Sequence, residues 1–384
     1  MSVLSVLRTC MRYVRGTFGT IVMFATAPIY LVIHTGWRVV SILMPRRWFY
    51  KGDDFLWGSY QKLIVFFFEH TTGVEINISG EIPQNKENVI LICNHQCSMD
   101  WIVTDFLAAR QGMIGNMRYV FKNSIKYWPL YGYVFGVHGG VFVKRDGSYN
   151  ERNMTRVLTY LMKHRVEMYF VIFPEGTRFS VKRKELLAKS QQYAIENDLK
   201  PLNQVLTPRI KAFYCAISTM KTYLNAVYDA TIIYESADNL KRVGERTPAP
   251  NMWAFLNSDS PKVHIHFERI PIENIPTSSQ RATMRWLHHR YAMKDQAICR
   301  HFGIEYPTEQ SPSIAGVVTQ MDINENQLAD EKPSHLPISQ TLPSAAFYTG
   351  TLMGVTCHPV GRMGYGCVLL GGSLLGMGYA KLFL

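Results

Sequence analysis

The chain contains two short, wholly apolar runs, each followed at once by a polar motif. The runs cover residues 89–93 and 168–173, and apolar segments of this length predict strands buried on both faces, as in a parallel sheet. Residues 94–100 (NHQCSMD) follow the first run, and the second run leads into residues 173–178 (FPEGTR). Polar motifs at the carboxyl ends of parallel strands are typical of α/β enzymes.

Helical spacing fills the intervals between these runs. Residues 101–107 continue from the first motif as a helix, and apolar side chains recur every three or four positions over 154–162, directly before the second run. We predict further strands near 212–218, 231–234 and 262–269. The pattern therefore predicts an α/β fold in which a mixed, mostly parallel sheet is flanked by helices.

The N-terminal segment has the length and flanking charges of a membrane anchor. Residues 18–36 are largely apolar with arginines on both sides, and about 20 such residues are needed to span a bilayer. Pro28 and His34 interrupt the run and Arg38 breaks its continuation, so a spanning helix and a pair of helices lying shallowly in one leaflet both fit. The length of the run and the lack of a small-residue cleavage site disfavour a cleaved signal peptide.

Two apolar runs rich in small residues, 342–357 and 365–384, predict C-terminal membrane segments. A hairpin buried in the domain is the alternative, but the polar stretch 307–337 separates these runs from the rest as a linker would. We therefore predict four parts: an N-terminal membrane-anchoring segment (1–50), a catalytic domain (51–306), a polar linker (307–341) and C-terminal membrane segments (342–384).

Composition favours a membrane surface over nucleic acid as the partner of this basic chain. The 384 residues carry a formal charge of +12, and 47% of them are hydrophobic. The basic residues are scattered between apolar segments, without zinc-finger spacing or an RNA-binding sheet motif, so we predict no nucleic-acid partner. Seven cysteines form no framework of spacings, which predicts reduced thiols in a domain that faces the cytosol.

The spacing of His95 and Asp100 restricts where each can lie. On one helix they would be about 140° apart and could not touch. His95 is therefore predicted on the strand-to-helix loop and Asp100 in the first helical turn, where Asp100 can accept the Nδ1 proton and leave Nε2 free as a general base. An acidic residue at a helix N-terminus also has a purely structural explanation, so this pair alone leaves both readings open.

Four blocks in a fixed order resemble the glycerolipid acyltransferase family (lysophosphatidic acid acyltransferases and relatives). The blocks are Asn-His followed after four residues by Asp (94–100), GGVFVKR (139–145), FPEGTR (173–178) and VLTPR (205–209). Lys122 resembles the start of the family's lysine-to-glycine stretch ahead of the second block. Each motif alone is weak, whereas the ordered set is specific, and the resemblance extends to about residue 302.

The resemblance implies transfer of a fatty acyl chain from acyl-CoA to the sn-2 hydroxyl of 1-acylglycerol 3-phosphate, giving phosphatidic acid. An alcohol is a weak nucleophile at neutral pH, so His95 would remove its proton, and Asp100 would orient His95. Backbone N–H groups near a helix start would stabilise the oxyanion. No metal or bound cofactor is implied, because acyl-CoA is a co-substrate.

Six residues are implied to bind substrate: Lys122, Arg145, Glu175, Gly176, Thr177 and Arg178. The cationic ones suit the phosphate of the acceptor, because arginine makes bidentate charge-assisted bonds to it. Glu175 either positions the substrate or orders its own turn. Many members of the family carry an acidic residue where this chain has Lys144, and this departure leaves the identity of the acceptor open.

Several alternatives stay open at this point. The acceptor could be another lysophospholipid or glycerol phosphate, or the fold could serve a non-catalytic lipid-binding protein. Cys97 invites a thiol mechanism with an acyl-enzyme, but buried cysteine commonly acts as a small hydrophobe, and we predict that Cys97→Ala retains activity. The resemblance suggests the endoplasmic reticulum membrane, with mitochondrial membranes as the alternative.

His264 and His266 lie two positions apart on a predicted strand, like a pair of metal ligands. A third ligand at a recognisable spacing is missing from the sequence, so we predict a polar strand face and no metal site.

Overall fold

The computed structural model describes residues 3–144, 150–235, 244–246, 248–258, 260–306 and 330–384. Within these ranges the α-helices are α1 (Val3–Ala25), α2 (Ala27–Val40), α3 (Arg46–Val65), α4 (Asp100–Arg110), α5 (Tyr131–Val137), α6 (Glu151–Lys163), α7 (Lys184–Glu196), α8 (Ile210–Met220), α9 (Met252–Leu256), α10 (Gln280–Phe302), α11 (Leu342–Cys357) and α12 (Pro359–Phe383). The strands are β1 (Glu75–Ser79), β2 (Val89–Cys93), β3 (Met117–Lys122), β4 (Val141–Val143), β5 (Tyr169–Ile172), β6 (Ala226–Glu235), β7 (Lys262–Pro271) and β8 (Lys332–Pro333).

The described strands form one eight-stranded sheet with the order β4-β3-β5-β2-β6-β7-β1-β8. β2 lies near the centre and pairs in parallel with β5 on one side and β6 on the other. β6 and β7 are antiparallel, and β8 pairs antiparallel with β1. The sheet is therefore mixed and mostly parallel, which confirms the predicted fold class.

Helices cover both faces of the sheet, because the central strands are apolar on both sides. In β2, Leu91 packs into the core beneath α3 and α4, whereas Ile90 and Ile92 pack into the core with α6, α8 and α10. All three side chains are fully buried, and burying a Leu or Ile side chain contributes about 1.5–3 kcal/mol. The polar motif after β2 thus follows a strand that is fixed at the middle of the sheet.

One predicted strand is wrong, because residues 212–218 lie in helix α8. Phe213, Ala216, Ile217 and Met220 recur at intervals of three and four positions and are fully buried on one face of the helix. The short apolar run therefore reflects the helical period and not a buried strand. The remaining predicted strands, 89–93, 168–173, 231–234 and 262–269, correspond to β2, β5, β6 and β7.

The terminal helices pack against the domain and against each other. Among the described residues, two helical stretches are long and apolar enough to cross a membrane, Val3–Leu43 and Pro359–Phe383. The Tyr60 hydroxyl on α3 donates to the carbonyl of Met23 at 2.7 Å, and the Tyr365 hydroxyl on α12 donates to that of Ala25 at 2.9 Å. The N-terminal and C-terminal helices therefore meet at the junction of α1 and α2.

Part of the predicted linker binds the domain, and residues 307–329 lie outside the described residues. β8 pairs with β1, and the backbone N–H of Leu336 donates to the carboxylate of Glu69 at 3.0 Å. Arg110 binds the same carboxylate at 2.6 Å. The C-terminal helices therefore start from a point that is hydrogen-bonded to the domain.

Candidate active site

The first polar motif forms the loop between β2 and α4. β2 ends at Cys93 and α4 begins at Asp100, so His95 lies on the loop and Asp100 in the first helical turn, where their spacing predicts them. Nδ1 of His95 lies 2.7 Å from Oδ2 of Asp100. The side chain of Asn94 donates to the carbonyl of Ile232 on β6 at 2.9 Å and accepts from its N–H at 2.7 Å. These two bonds fix the start of the loop to the neighbouring strand.

Asp100 is fully buried and surrounded by hydrogen-bond donors. Besides His95, it accepts from the backbone N–H groups of Gln96 at 2.6 Å and Cys97 at 2.9 Å, and from the Tyr234 hydroxyl at 2.8 Å. Burial alone raises the pKa of Asp100, but the bonds from His95 and the backbone lower it overall. The carboxylate therefore stays ionised, holds the Nδ1 proton of His95 and leaves Nε2 available to accept another.

His95 is the accessible member of the pair, with 14% of its side chain exposed against 0% for Asp100. Phe173, at the end of the second apolar run, packs its ring centroid 4.4 Å from that of His95, at 31° between the planes. This contact restricts rotation of the imidazole. A general base must be both fixed and reachable, and His95 meets both conditions.

Glu175 connects the two motifs. Its Oε1 accepts the backbone N–H of His95 at 2.7 Å, and its Oε2 accepts that of Leu206 at 2.9 Å. Burial raises the pKa of Glu175 to about 8, although both N–H groups favour the ionised form. With its oxygens bound to the backbone, Glu175 orders the His95 loop and the VLTPR block.

The turn after Glu175 carries an exposed cation. Gly176 has φ +69°, a left-handed conformation that favours glycine, and an added Cβ would meet nothing within 4 Å, so the requirement is conformational. Thr177 is half-buried and Arg178 is exposed. The N–H of Phe179 donates to the carbonyl of His95 at 2.7 Å, which keeps this turn beside the histidine loop.

A second predicted cation lies at the same edge of the sheet. Lys122 is exposed at the carboxyl end of β3, where it pairs with Val143 of β4. β3, β5 and β2 run parallel, so Lys122 lies at the edge that also carries His95 and Arg178. Arg145 lies outside the described residues, two positions beyond Val143.

Sequence reasoning missed Arg246. Its guanidinium binds the side-chain oxygen of Gln96 and the carbonyl of Gln204, and it lies 4.5 Å from the centroid of the Phe179 ring. Burial lowers the pKa of Arg246 to about 10 although the Glu175 charge opposes this, so the group is a cation at neutral pH. The bond to Gln96 joins residues 150 positions apart, and Arg246 belongs to none of the four motifs.

The thiols near His95 do not suit nucleophilic catalysis. Cys97 is buried, and its Sγ donates to Oδ1 of Asp100 at 3.4 Å. Burial and then the Asp100 charge raise the pKa of Cys97 well above its usual range, and the same two causes raise that of Cys93. The thiolate is the reactive form of cysteine, and this site disfavours it. The geometry therefore favours His95 as the group that activates a nucleophile.

Comparison with known proteins extends the motif matches. A family model described as Acyltransferase matches residues 75–233, and one described as Acyltransferase C-terminus matches residues 254–311. The 1-acyl-sn-glycerol-3-phosphate acyltransferase epsilon of Mus musculus is 40% identical over 366 residues, 95% of each chain. A probable 1-acyl-sn-glycerol-3-phosphate acyltransferase 5 of Arabidopsis thaliana is 31% identical, covering 75% of this chain and 73% of the relative. The delta enzyme of Homo sapiens is 28% identical over 69% and 68%, respectively.

These matches, together with the fold and the ordered motifs, define an acyltransferase. The chain belongs to the 1-acyl-sn-glycerol-3-phosphate acyltransferase family, which confirms the family predicted from its four motifs. Because the alignment with the epsilon enzyme covers 95% of the chain, the similarity includes much of the terminal segments as well as the catalytic domain.

Proposed function

We propose that the protein transfers a fatty acyl chain from acyl-CoA to the sn-2 hydroxyl of 1-acylglycerol 3-phosphate, giving phosphatidic acid. The observation that carries the proposal is the His95–Asp100 pair, in which a buried carboxylate holds Nδ1 at 2.7 Å and the imidazole stays accessible. The names of the relatives support the reaction class and the acceptor. In this proposal acyl-CoA is a co-substrate.

His95 acts first as a general base and then as a general acid. Nε2 accepts the proton of the sn-2 hydroxyl while its oxygen attacks the thioester carbonyl, which forms a tetrahedral oxyanion. Collapse of this intermediate breaks the C–S bond, and Nε2 returns the proton to the departing thiolate. The products are the new ester and coenzyme A as a thiol. Asp100 stabilises the imidazolium between the two proton transfers and stays ionised.

The oxyanion requires donors other than the first N–H groups of the motif. The N–H groups of Gln96 and Cys97 are already bound to Asp100, and that of His95 is bound to Glu175. Donors for the oxyanion therefore come from other groups along this edge of the sheet.

In this proposal, the phosphate of the acceptor binds the exposed cations of the same edge. Arg178 and Lys122 are exposed there, and Arg145 joins them by the family resemblance. Glu175 and Gly176 hold the turn that presents Arg178, and Thr177 adds a hydroxyl donor beside it. The guanidinium of Arg246 is bound to Gln96, next to His95, and to Gln204, so it contributes positive potential to the site.

In this proposal the terminal helices also hold the enzyme at a membrane, where its lipid acceptor resides. Leu370, Leu374 and Leu375 on α12 are 70%, 68% and 78% exposed, which suits contact with lipid more than with water. The cysteines of the described residues are free thiols, as a domain that faces the cytosol requires. The proposed location is the endoplasmic reticulum membrane, with a mitochondrial membrane as the alternative.

The test is coenzyme A release by detergent-purified protein given oleoyl-CoA and lysophosphatidate, beside a panel of other lysophospholipids and glycerol 3-phosphate. We expect release that requires lysophosphatidate and falls by about 10²–10⁴-fold in His95→Ala. His289→Ala is the matched control, because His289 is exposed on α10 and should leave the rate unchanged.

Each other outcome overturns a defined part of the proposal. Faster release with another lysophospholipid would leave His95 as the base and change the assigned acceptor. This outcome is worth testing because the second motif carries the cation Lys144 where many family members have an acidic residue. Release that survives in His95→Ala would remove the dyad from the mechanism. Folded protein that binds lipid without acceptor-dependent release would be a non-catalytic relative.

A further inference from the structure

A cluster of metal-ligating side chains lies outside the active site, where β6, β7 and α10 meet. We call it the β6–β7–α10 cluster; its members are Glu235, His264 and His301, and one ligand atom from each lies within 4.8 Å of the others. Nε2 of His264 is 3.1 Å from a carboxylate oxygen of Glu235, and the ring centroids of His264 and His301 are 4.7 Å apart. Residues far apart in the chain thus converge on one point.

The imidazole ring of His264 is oriented by a carboxylate that binds its other nitrogen, Nδ1. Its Nδ1 lies 2.7 Å from a carboxylate oxygen of Glu331, a residue beyond the cluster. Histidines that bind metals commonly donate their other ring N–H to a carboxylate, which fixes the tautomer and directs the free nitrogen at the metal. In His264 the nitrogen so directed is Nε2, the one that faces Glu235.

His264 and His266, the two histidines paired in the sequence analysis, are not the two histidines of the cluster. His266 bonds through Nδ1 to the hydroxyl of Ser79 at 2.9 Å and does not belong to the cluster. The partner of His264 is His301, near the end of α10. The fold therefore supplies the ligands that the local spacing lacks, Glu235 from β6 and His301 from α10.

We propose that the β6–β7–α10 cluster binds a divalent zinc-type metal ion through Glu235, Nε2 of His264 and His301, with Glu331 orienting His264. Zinc takes two imidazoles and a carboxylate readily, with bond lengths of about 2.0–2.2 Å. Tetrahedral ligand atoms are then about 3.4 Å apart, so small side-chain rotations would close the cluster around the ion.

Protonation of the two histidines is compatible with this site. Burial lowers the pKa of His301, and the positive charge of His264 lowers it further, so His301 is neutral and able to bind a metal at neutral pH. Burial also acts to lower the pKa of His264, but Glu331 and Glu235 raise it overall. A metal ion at Nε2 of His264 would therefore compete with a proton there. Without a metal, the same geometry is a hydrogen-bonded histidine between two carboxylates.

The proposed ion would connect the carboxyl end of β6 to α10 and to the segment that leads into β8. Tyr234, next to Glu235, donates to Asp100 at 2.8 Å, so the ion would lie one residue from a group that orients the dyad. The role inferred for the ion is structural. This proposal goes beyond the acyltransferase function and does not rest on it.

The test uses the full chain in detergent, stripped of metal with a chelator and titrated with Zn²⁺ alone. We expect one tightly bound Zn²⁺ per chain by elemental analysis and a higher thermal unfolding temperature in its presence. His264→Gln and His301→Gln should bind Zn²⁺ at least about 100-fold more weakly. Glu331→Gln should bind about 10–100-fold more weakly, because it alters only the outer hydrogen bond.

His266→Gln is the matched control, because it changes a histidine of the same strand that lies outside the cluster and should bind Zn²⁺ as the wild type does. Wild-type protein that holds no Zn²⁺ would overturn the proposal in favour of a metal-free hydrogen-bond network among these side chains. Zn²⁺ held equally by the wild type, His264→Gln and His301→Gln would place the ion elsewhere and overturn it too. If one ligand variant fails to fold, the other and Glu331→Gln still decide between these results.

Discussion

Among the residues that the structure describes, two histidine–aspartate clusters have hydrogen bonds of nearly equal length. In the active site, Nδ1 of His95 is 2.7 Å from Asp100. In the second cluster, Asp53 on α3 bonds His138 at 2.7 Å with one oxygen and His34 on α2 at 2.9 Å with the other. Both aspartates are fully buried, and in both the pKa that burial would raise is lowered overall by the histidine bonds.

His138 differs from His95 at its second ring nitrogen, and both histidines of the Asp53 cluster differ from His95 in access. Nε2 of His138 donates to the carbonyl of Met117 at 2.9 Å, and its ring stacks on Trp57 with 4.5 Å between centroids. The side chains of His138 and His34 are 3% and 0% exposed, against 14% for His95. Both ring nitrogens of His138 are hydrogen-bonded and its ring is covered by Trp57, so His138 has no free nitrogen that could accept a proton from a substrate. The enclosed cluster therefore joins α2 and α3 to the end of α5, whereas the open one suits catalysis.

The largest effect that tests this contrast is expected from Asp100→Asn. An amide cannot hold His95 in the tautomer with Nε2 free or stabilise the imidazolium, so kcat for coenzyme A release should fall by about 10²–10⁴-fold, or about 3–5 kcal/mol. The KM for acyl-CoA should change little. Asp53→Asn, the same substitution in the enclosed cluster, is the control and should keep kcat per folded molecule within about threefold. An Asp100→Asn enzyme within tenfold of the wild type would contradict the role given to this carboxylate.

The next effect is on stability and is expected from the enclosed cluster. Asp53→Asn leaves two buried histidines without their shared anion, so we expect unfolding to become easier by about 3 kcal/mol. Denaturant or thermal unfolding in detergent measures this. Glu75→Gln is the control: it breaks the ion pair with Lys262, whose partners are 51% and 47% exposed, and should cost under about 1 kcal/mol. Unchanged stability with lost activity in Asp53→Asn would make the enclosed cluster part of the chemistry.

The contrast also explains what the sequence could and could not predict. His95 and Asp100 lie five positions apart on one loop after an apolar strand, so local geometry alone places them together. Asp53 and His138 are 85 positions apart, and their pairing depends on how α3 packs against the end of α5. Arg246 was missed for the same reason. Apolar runs predicted β2, β5, β6 and β7 but not β1, β3, β4 or β8, and the strand predicted at 212–218 came from reading a helical period as a strand.

Another buried aspartate, one without a histidine partner, extends the comparison, and its effect is expected only when the pH changes. Asp105 on α4 accepts a hydrogen bond from the Tyr119 hydroxyl at 2.7 Å and has no histidine partner, and burial raises its pKa to about 8 although that bond opposes the shift. Its pKa in the unfolded chain is about 3.9, so the native state retains a proton that the unfolded chain releases between about pH 4 and 8. The stability from this group is complete below about pH 4 and lost as the pH rises through 8.

Asp105→Asn removes this titration and keeps an oxygen that can accept the Tyr119 bond. The unfolding temperature of the variant relative to the wild type should therefore rise by about 4 °C, or about 3 kcal/mol, between pH 5.5 and 8.5. Asp198→Asn is the matched control, because Asp198 is 76% exposed in a surface ion pair and should show no such trend. A relative unfolding temperature that stays level or falls over this range would mean that Asp105 is ionised in the core. A buried aspartate would then stay ionised without a histidine or another cationic partner, unlike Asp100 and Asp53 with their histidines and Asp229 with Arg290 and Lys294.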